Sequence, residues 1–190
     1  MVFSLVRLLS IAAAAAVATS LAFAPAQAAK AKSAPKSAPS KAAAGSNKPL
    51  GAFKDWNAYM LDDPAKKVCF VVSEPKSKKL SKGANRGDPF FMITRWSQGA
   101  ALQPSMIVGY PQPAGGKAKV TIGKDKFDMF VDADGAWMDS EDGDRKLLDA
   151  MRKGSTMIVE SASAKGTKST DRYSLAGLSA ALDKLGSTCP

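Results

Sequence analysis

From residue 50 onward the apolar residues come in short runs separated by turn residues, and in several runs they alternate with polar ones. A period of two marks a strand with one buried face. The runs are 51–60 (GAFKDWNAYM), 67–73 (KVCFVVS), 89–96 (PFFMITRW), 105–110 (SMIVGY), 117–122 (KAKVTI), 126–131 (KFDMFV), 135–138 (GAWM), 155–162 (STMIVESA) and 168–173 (KSTDRY). Val120 and Ile122 fall on one side while Lys119 and Thr121 fall on the other. Gly123-Lys124-Asp125 then turns the chain into Phe127-Asp128-Met129, a hairpin signal. Eight or nine short strands with turns between them predict an antiparallel β-sandwich or barrel. Phe90 and Phe91 cannot place both rings on one face, so one side of their strand meets a second layer, the C-terminal helix or a partner.

Two segments break the alternation and read as helices. In 142–153, Asp142 or Asp144 is the candidate N-cap, Leu147, Leu148 and Met151 form the apolar stripe, and Gly154 is the stop. In 174–185, Ser174 is the candidate N-cap, Leu175, Leu178, Leu182 and Leu185 recur at helical spacing, and Gly186 ends the run. No internal repeat is present.

The chain before residue 50 has a different character. Arg7 precedes an alanine-dominated apolar run over 8–24, which closes on Ala26-Gln27-Ala28, a small-x-small site. This reads as a secretory signal peptide, residues 1–28, cleaved after Ala28. The run is short for a membrane anchor and lacks the basic flank that an anchor carries. Residues 29–48 contain only Ala, Lys, Ser, Pro, Gly and Asn. With no large apolar side chain to offset the entropy of ordering, they read as a disordered linker ahead of a domain at 49–190. The expected location is the periplasm or the outside of the cell, with no transmembrane segment left after cleavage.

Charge and cysteine content refine this picture. Of the net charge of +10, Arg7 and the five lysines of 29–48 account for six, leaving +4 on 49–190. The high pI therefore does not require a strongly basic folded face. The only two cysteines are Cys69 and Cys189. In an oxidising compartment they are expected to pair, the other reading being two free buried thiols.

Several chemistries are argued against. The chain has no histidine, which removes Ser-His-Asp and Cys-His catalysis and the usual His-rich zinc site. Ser73-Glu74-Pro75-Lys76 matches Ser-x-x-Lys, but a strand leads into it where that chemistry needs a helix start. Asp132-Ala133-Asp134-Gly135 followed by Glu141 partly matches a calcium loop, yet the first ligand position falls on Phe130. No metal and no cofactor are expected. A carboxylate pair formed in space stays open as the alternative, in a periplasmic hydrolase or carbohydrate-binding enzyme, and would be marked by two acids converging beside Trp56, Trp96 or Trp137.

The candidates for binding are basic. Lys76, Lys78, Lys79, Lys82 and Arg86 crowd the segment 74–88, expected to be a loop between strands. They form a candidate anion- or partner-binding set, acting with the linker lysines on an acidic envelope polymer or an envelope protein. Set against this is a plain solvated loop. Nucleic acid is not expected, because no aromatic residues interleave with the basic ones. Most aromatic residues sit inside strand candidates and read as core.

The ordered set of residues resembles the invasion-associated locus B family of alphaproteobacterial envelope proteins. The resemblance begins at Gly51-x-Phe53-x-Asp55-Trp56, Cys69-Phe70 and Ser73-x-Pro75. It continues through Arg86-Gly87, Met92-Ile93-Thr94-Arg95, Gly109-Tyr110, Phe127-x-Met129-Phe130 and Ala136-Trp137. Ala150-Met151-x-x-Gly154, Lys165-Gly166-Thr167, Asp171-x-Tyr173-Ser174-Leu175-x-Gly177 and Cys189 complete it. The resemblance implies an immunoglobulin-like β-sandwich in the envelope with no known catalytic activity. The expected protein is thus an exported, non-catalytic binding protein, mainly β with two short helices. Its oligomeric state is not legible.

Overall fold

The computed structural model describes residues 46–63, 66–81 and 84–189. The signal-peptide reading, most of the linker and Lys82 lie outside the described residues.

In chain order the elements are β1 (Ser46–Phe53), β2 (Trp56–Asp63), β3 (Lys66–Ser73), β4 (Ser77–Leu80), β5 (Phe90–Arg95), β6 (Gln103–Ile107), β7 (Lys117–Ile122), β8 (Asp125–Asp132) and β9 (Gly135–Trp137). Then come α1 (Glu141–Lys153), β10 (Thr156–Ala162), β11 (Lys168–Ser174) and α2 (Leu178–Thr188). The strands form one antiparallel ladder in the order β1-β2-β3-β5-β6-β9-β8-β7-β10-β11-β4. The mainly β, sandwich-like architecture with two helices agrees with the reading of the sequence.

The ladder doubles over. Its first part, β1-β2-β3-β5-β6, is one layer, and β8-β7-β10-β11-β4 is the other, with short β9 between them. The strand β4 follows β3 after three residues yet closes the far edge of the ladder, so that edge returns against the first layer. Contacts across the interior confirm the doubling. Trp56 Nε1 donates to the Ser174 carbonyl at 3.1 Å, and the Phe91 and Tyr173 rings meet edge to face at 6.0 Å. Trp56, Val71, Phe91, Ile93, Met106, Val120, Met129, Met157 and Val159 are sealed between the layers, joined by Leu147 and Met151 of α1 and by Leu178, Leu182 and Leu185 of α2. Each such aliphatic or aromatic side chain contributes about 1.5–3 kcal/mol on leaving water.

The structure corrects several local expectations. The run 51–60 is not one strand but a hairpin, with Lys54 turning at φ 54° and Phe53 facing Trp56. The hairpin tip is held from outside: the Asp55 amide donates to the Ala176 carbonyl at 3.3 Å. A Cβ on Gly177 would overlap the Phe53 carbonyl, and its φ of 91° also favours glycine. Residues 46–48, expected in the linker, open β1, because a backbone ladder to Met60, Leu61 and Asp62 needs no apolar side chain. The expected loop 74–88 contains strand β4, whose residues pair with β11. Ser140, not Asp142 or Asp144, caps α1, its Oγ accepting from the Gly143 amide at 3.2 Å. Ser174 ends β11 and accepts from the Ala176 amide, while α2 starts later, after Gly177, and runs past Gly186 to Thr188.

Asp144, proposed from sequence as a cap, lies in the first turn of α1 with 7% of its surface exposed. Its Oδ1 has no hydrogen-bond partner among the described residues. Burial, and then the charge of Glu141, push its carboxyl up to about 6 from 3.8. The folded state therefore holds this proton more tightly than the unfolded chain does. The resulting penalty is absent below the unfolded pKa, grows as pH rises through the window between the two values, and is complete above about 6. Asp144→Asn is expected to stabilise the domain by about 1–3 kcal/mol near pH ~8 and by almost nothing near pH ~4. Urea unfolding at the two pH values checks this, and an equal effect at both would sink the assignment.

Candidate interaction face

Of the five basic residues picked out between 76 and 86, the four that are described do not gather into one cluster. Lys76 pairs with Asp55, and Lys78 lies 3.4 Å from Asp88. Lys79 is exposed on the outward side of β4, opposite Thr170. Lys82 is outside the described residues. Arg86 is corrected outright as a surface ligand: its side chain is 3% exposed and grips Asp171, which is 0% exposed. Nη1 donates to Asp171 Oδ2 at 2.8 Å, Nη2 donates to Oδ1, and Nη1 also reaches the Val108 carbonyl. Burial disfavours the guanidinium charge, but the Asp171 carboxylate outweighs that, and the Arg86 pKa is raised. Gly87 and Gly109 let this segment enter, with the Gly87 amide donating to the Gly109 carbonyl at 2.8 Å. A side chain on Gly109 would strike the Gly87 carbonyl.

A second polar group lies inside. Tyr110 Oη is 2.8 Å from Ser161 Oγ and 2.6 Å from Ser169 Oγ. Together with the Arg86–Asp171 pair it fixes β10 and β11 against the segments that enter from the first layer.

Cross-strand register then defines what the sheet presents outward. Directly opposed residues share a face. On the inner side of β2, β3, β5, β6 and β9 stand Ala58, Val71, Ile93, Met106 and Ala136, all sealed. On the outer side one row runs Val72, Met92, Ser105, Trp137, Phe130. It crosses five strands, about 19 Å at about 4.8 Å per strand. Beside it Tyr59 stacks on Phe70 at 5.4 Å, and Phe90 faces Ile107. Val72, Met92, Trp137, Tyr59, Phe70, Phe90 and Ile107 are all partly exposed, and Phe130 is 46% exposed. Trp137 lies across Gly135 in a space that a Cβ would fill, with its ring 6.0 Å from that of Phe130. An antiparallel layer normally turns polar residues outward. Here the outer side is largely apolar as well, with Asn57, Thr94, Gln103 and Ser105 as its polar positions.

At one end of the row lies a depression of about 420 Å³, bordered by Asn57, Tyr59, Phe90, Asp55, Lys76 and Asp88. The Lys76 hydrogen bond, and then that of Ser174, hold the Asp55 carboxyl below its ordinary value. A carboxyl acting as general acid is shifted the other way. Ser73, the serine of the Ser-x-x-Lys pattern, donates to the Asp55 carbonyl at 2.6 Å. Trp56 points into the core, and Trp96 donates to Gln103 Oε1 at 2.7 Å on the surface. Asp132 and Asp134 flank a tight turn at Ala133 (φ 49°), and Glu141 starts α1. Among the described residues no group of three or more His, Cys, Asp and Glu is placed to hold a metal ion.

The Cys69–Cys189 bond joins β3 to the end of α2 across a Cα separation of 6.3 Å. Arg95 Nη1 donates to the Cys189 carbonyl at 2.8 Å beside it. No helix among the described residues is long and apolar enough to cross a membrane.

The fold is thus a disulfide-tied, sandwich-like β domain with a largely apolar outer face. Residues 56–186 match the family model of the Invasion associated locus B (IalB) protein, and the chain belongs to that family. The crystal structure of invasion associated protein b from Bartonella henselae is similar in fold, with a TM-score of 0.55 at 14% identity, covering 73% of this chain and 95% of that one. Comparison with curated proteins gives no match.

Proposed function

We propose that the protein is an exported, non-catalytic binding protein of the periplasm or cell envelope, and that it binds a partner protein through the apolar outer face that runs from β2 across to β8. One observation carries this reading: the row Val72, Met92, Trp137, Phe130, with Tyr59, Phe70, Phe90 and Ile107 beside it, is apolar yet partly exposed. Contiguous apolar surface of this kind marks interaction sites in soluble proteins. Export is supported by the amino-terminal pattern and by the disulfide, which persists only in an oxidising compartment.

Met92→Lys and Phe130→Lys test the reading in a cross-linked pull-down from the envelope fraction. The expected result is that at least one partner retained at high salt by the native protein is lost from both variants, with unchanged melting temperatures. Retention of every high-salt partner by both folded variants would place binding elsewhere. A hydrolase reading is tested in the same preparation: turnover of a cell-wall substrate that falls on Asp55→Asn or Glu74→Gln would replace the proposal.

A further inference from the structure

The second layer presents a different outer face. Register places Lys126 and Asp128 of β8, Lys117 and Lys119 of β7, Glu160 of β10, Lys168, Thr170 and Arg172 of β11 and Lys79 of β4 on its outward side. The six cations among them are exposed. They face only Asp128, Glu160 and Asp132. The outward positions of β11 and β4 carry no acid at all. Lys117 lies 3.2 Å from Asp128, whereas Lys79, Lys119, Lys126, Lys168 and Arg172 make no ion pair among the described residues. Three of these lysines border a shallow hollow of about 290 Å³: Lys117, Lys119 and Lys168 stand around Ala162, with Thr170 and Glu160 at its side.

We infer that this face is a binding surface for an extended acidic polysaccharide. Charge complementarity selects an anion. The layout selects a polymer: successive outward residues on one strand are about 7 Å apart, so the cations form a grid and do not converge on one small ligand. The hollow is floored by a small residue and edged by a threonine hydroxyl, which suits one carboxylate or sulfate group per repeat. Outward apolar residues here are Ile158 and Ala162, both only partly exposed, with Phe130 at the border. A membrane surface would find little to take into its interface, and nucleic acid bases would find no stacking platform within the grid. This surface meets the apolar face at β8, where Phe130 stands opposite Lys117, and neither reading requires the other.

The test uses the full chain purified as exported, with a heparin decasaccharide as probe, titrated at low and high salt. K117E/K119E/K168E is compared with K146E/K153E/K184E on the helices, which makes the same change in net charge. The expected result is a loss of about tenfold or more in affinity for the sheet variant and a far smaller loss for the helix variant, with native binding weakening steeply as salt rises. K117Q/K119Q/K168Q, with a melting temperature matched to the native chain, should show the same order of loss without reversing charge. Equal losses in the sheet and helix variants would overturn the inference in favour of net charge alone. So would undetectable binding of the decasaccharide by the native chain, or tighter binding to vesicles of anionic lipid than to the decasaccharide.

Discussion

Replacing Asp171 with alanine is expected to destabilise the domain by about 3–5 kcal/mol, a third or more of the stability of an ordinary domain. The carboxylate is wholly buried and meets both Nη atoms of Arg86. Its removal leaves a guanidinium that is 3% exposed with only the Val108 carbonyl near it. Arg86→Met alone should be of similar size, because it strands the opposite charge. The double variant R86M/D171A removes both charges and is expected to be less damaging than the two single losses combined, since a buried pair contributes little net stability beyond what each partner rescues in the other. Urea unfolding of the four proteins closes the cycle. A single-variant loss below about 1 kcal/mol would mean that water reaches the pair and screens it.

This pair also shows where the sequence was legible and where it was not. Alternation in 168–173 and 155–162 located β11 and β10 correctly, and the folded β11 holds Asp171 on the same buried side as Tyr173 and Ser169. An acid on a buried face demands a buried cation. The answer could not be read from the sequence, because Arg86 sits 85 residues away in a segment without periodicity. Arg86 read as one more member of a basic loop when its neighbours Lys78 and Lys79 belong to an edge strand. The three polar residues Ser77, Lys78 and Lys79 and the single Leu80 carry no strand signal of their own; β4 forms because β11 offers it an unpaired edge. The same blindness hid the basic face. Lys79, Lys117, Lys119, Lys126, Lys168 and Arg172 come from four strands scattered over the chain, and only the register of the second layer brings them together. The apolar outer face was half visible. Phe90-Phe91 showed that both sides of β5 had to meet something. Its extension through Trp137 and Phe130 depends on the pairing of β6 with β9, whose partners are 28 or more positions apart in the chain. Turn geometry was the other gap: Lys54 takes a positive φ without glycine because the hairpin tip is clasped by Ala176.

Removing the Cys69–Cys189 bond by Cys189→Ser is expected to destabilise the oxidised protein by about 2–5 kcal/mol. The bond closes a loop of 120 residues, for which chain entropy alone gives about 5 kcal/mol. The native contacts argue for a value below that ceiling. Leu178, Leu182 and Leu185 of α2 are buried whether or not the bond exists, and the hairpin tip grips the start of the helix through Ala176 and Gly177. Only the last turn depends on the tie, with the Arg95 contact to the Cys189 carbonyl as its remaining support. The loss should therefore have two parts. Global unfolding shifts by about 2–5 kcal/mol, measured in urea. Amide exchange in the last turn of α2 accelerates well beyond that in β10 and β11, whose ladder does not touch the bond. The native protein under reducing conditions should reproduce both changes. If Cys189→Ser unfolds at the native midpoint and its last turn exchanges no faster, the helix is held by its leucines alone, and the bond is a consequence of the fold rather than a support of it.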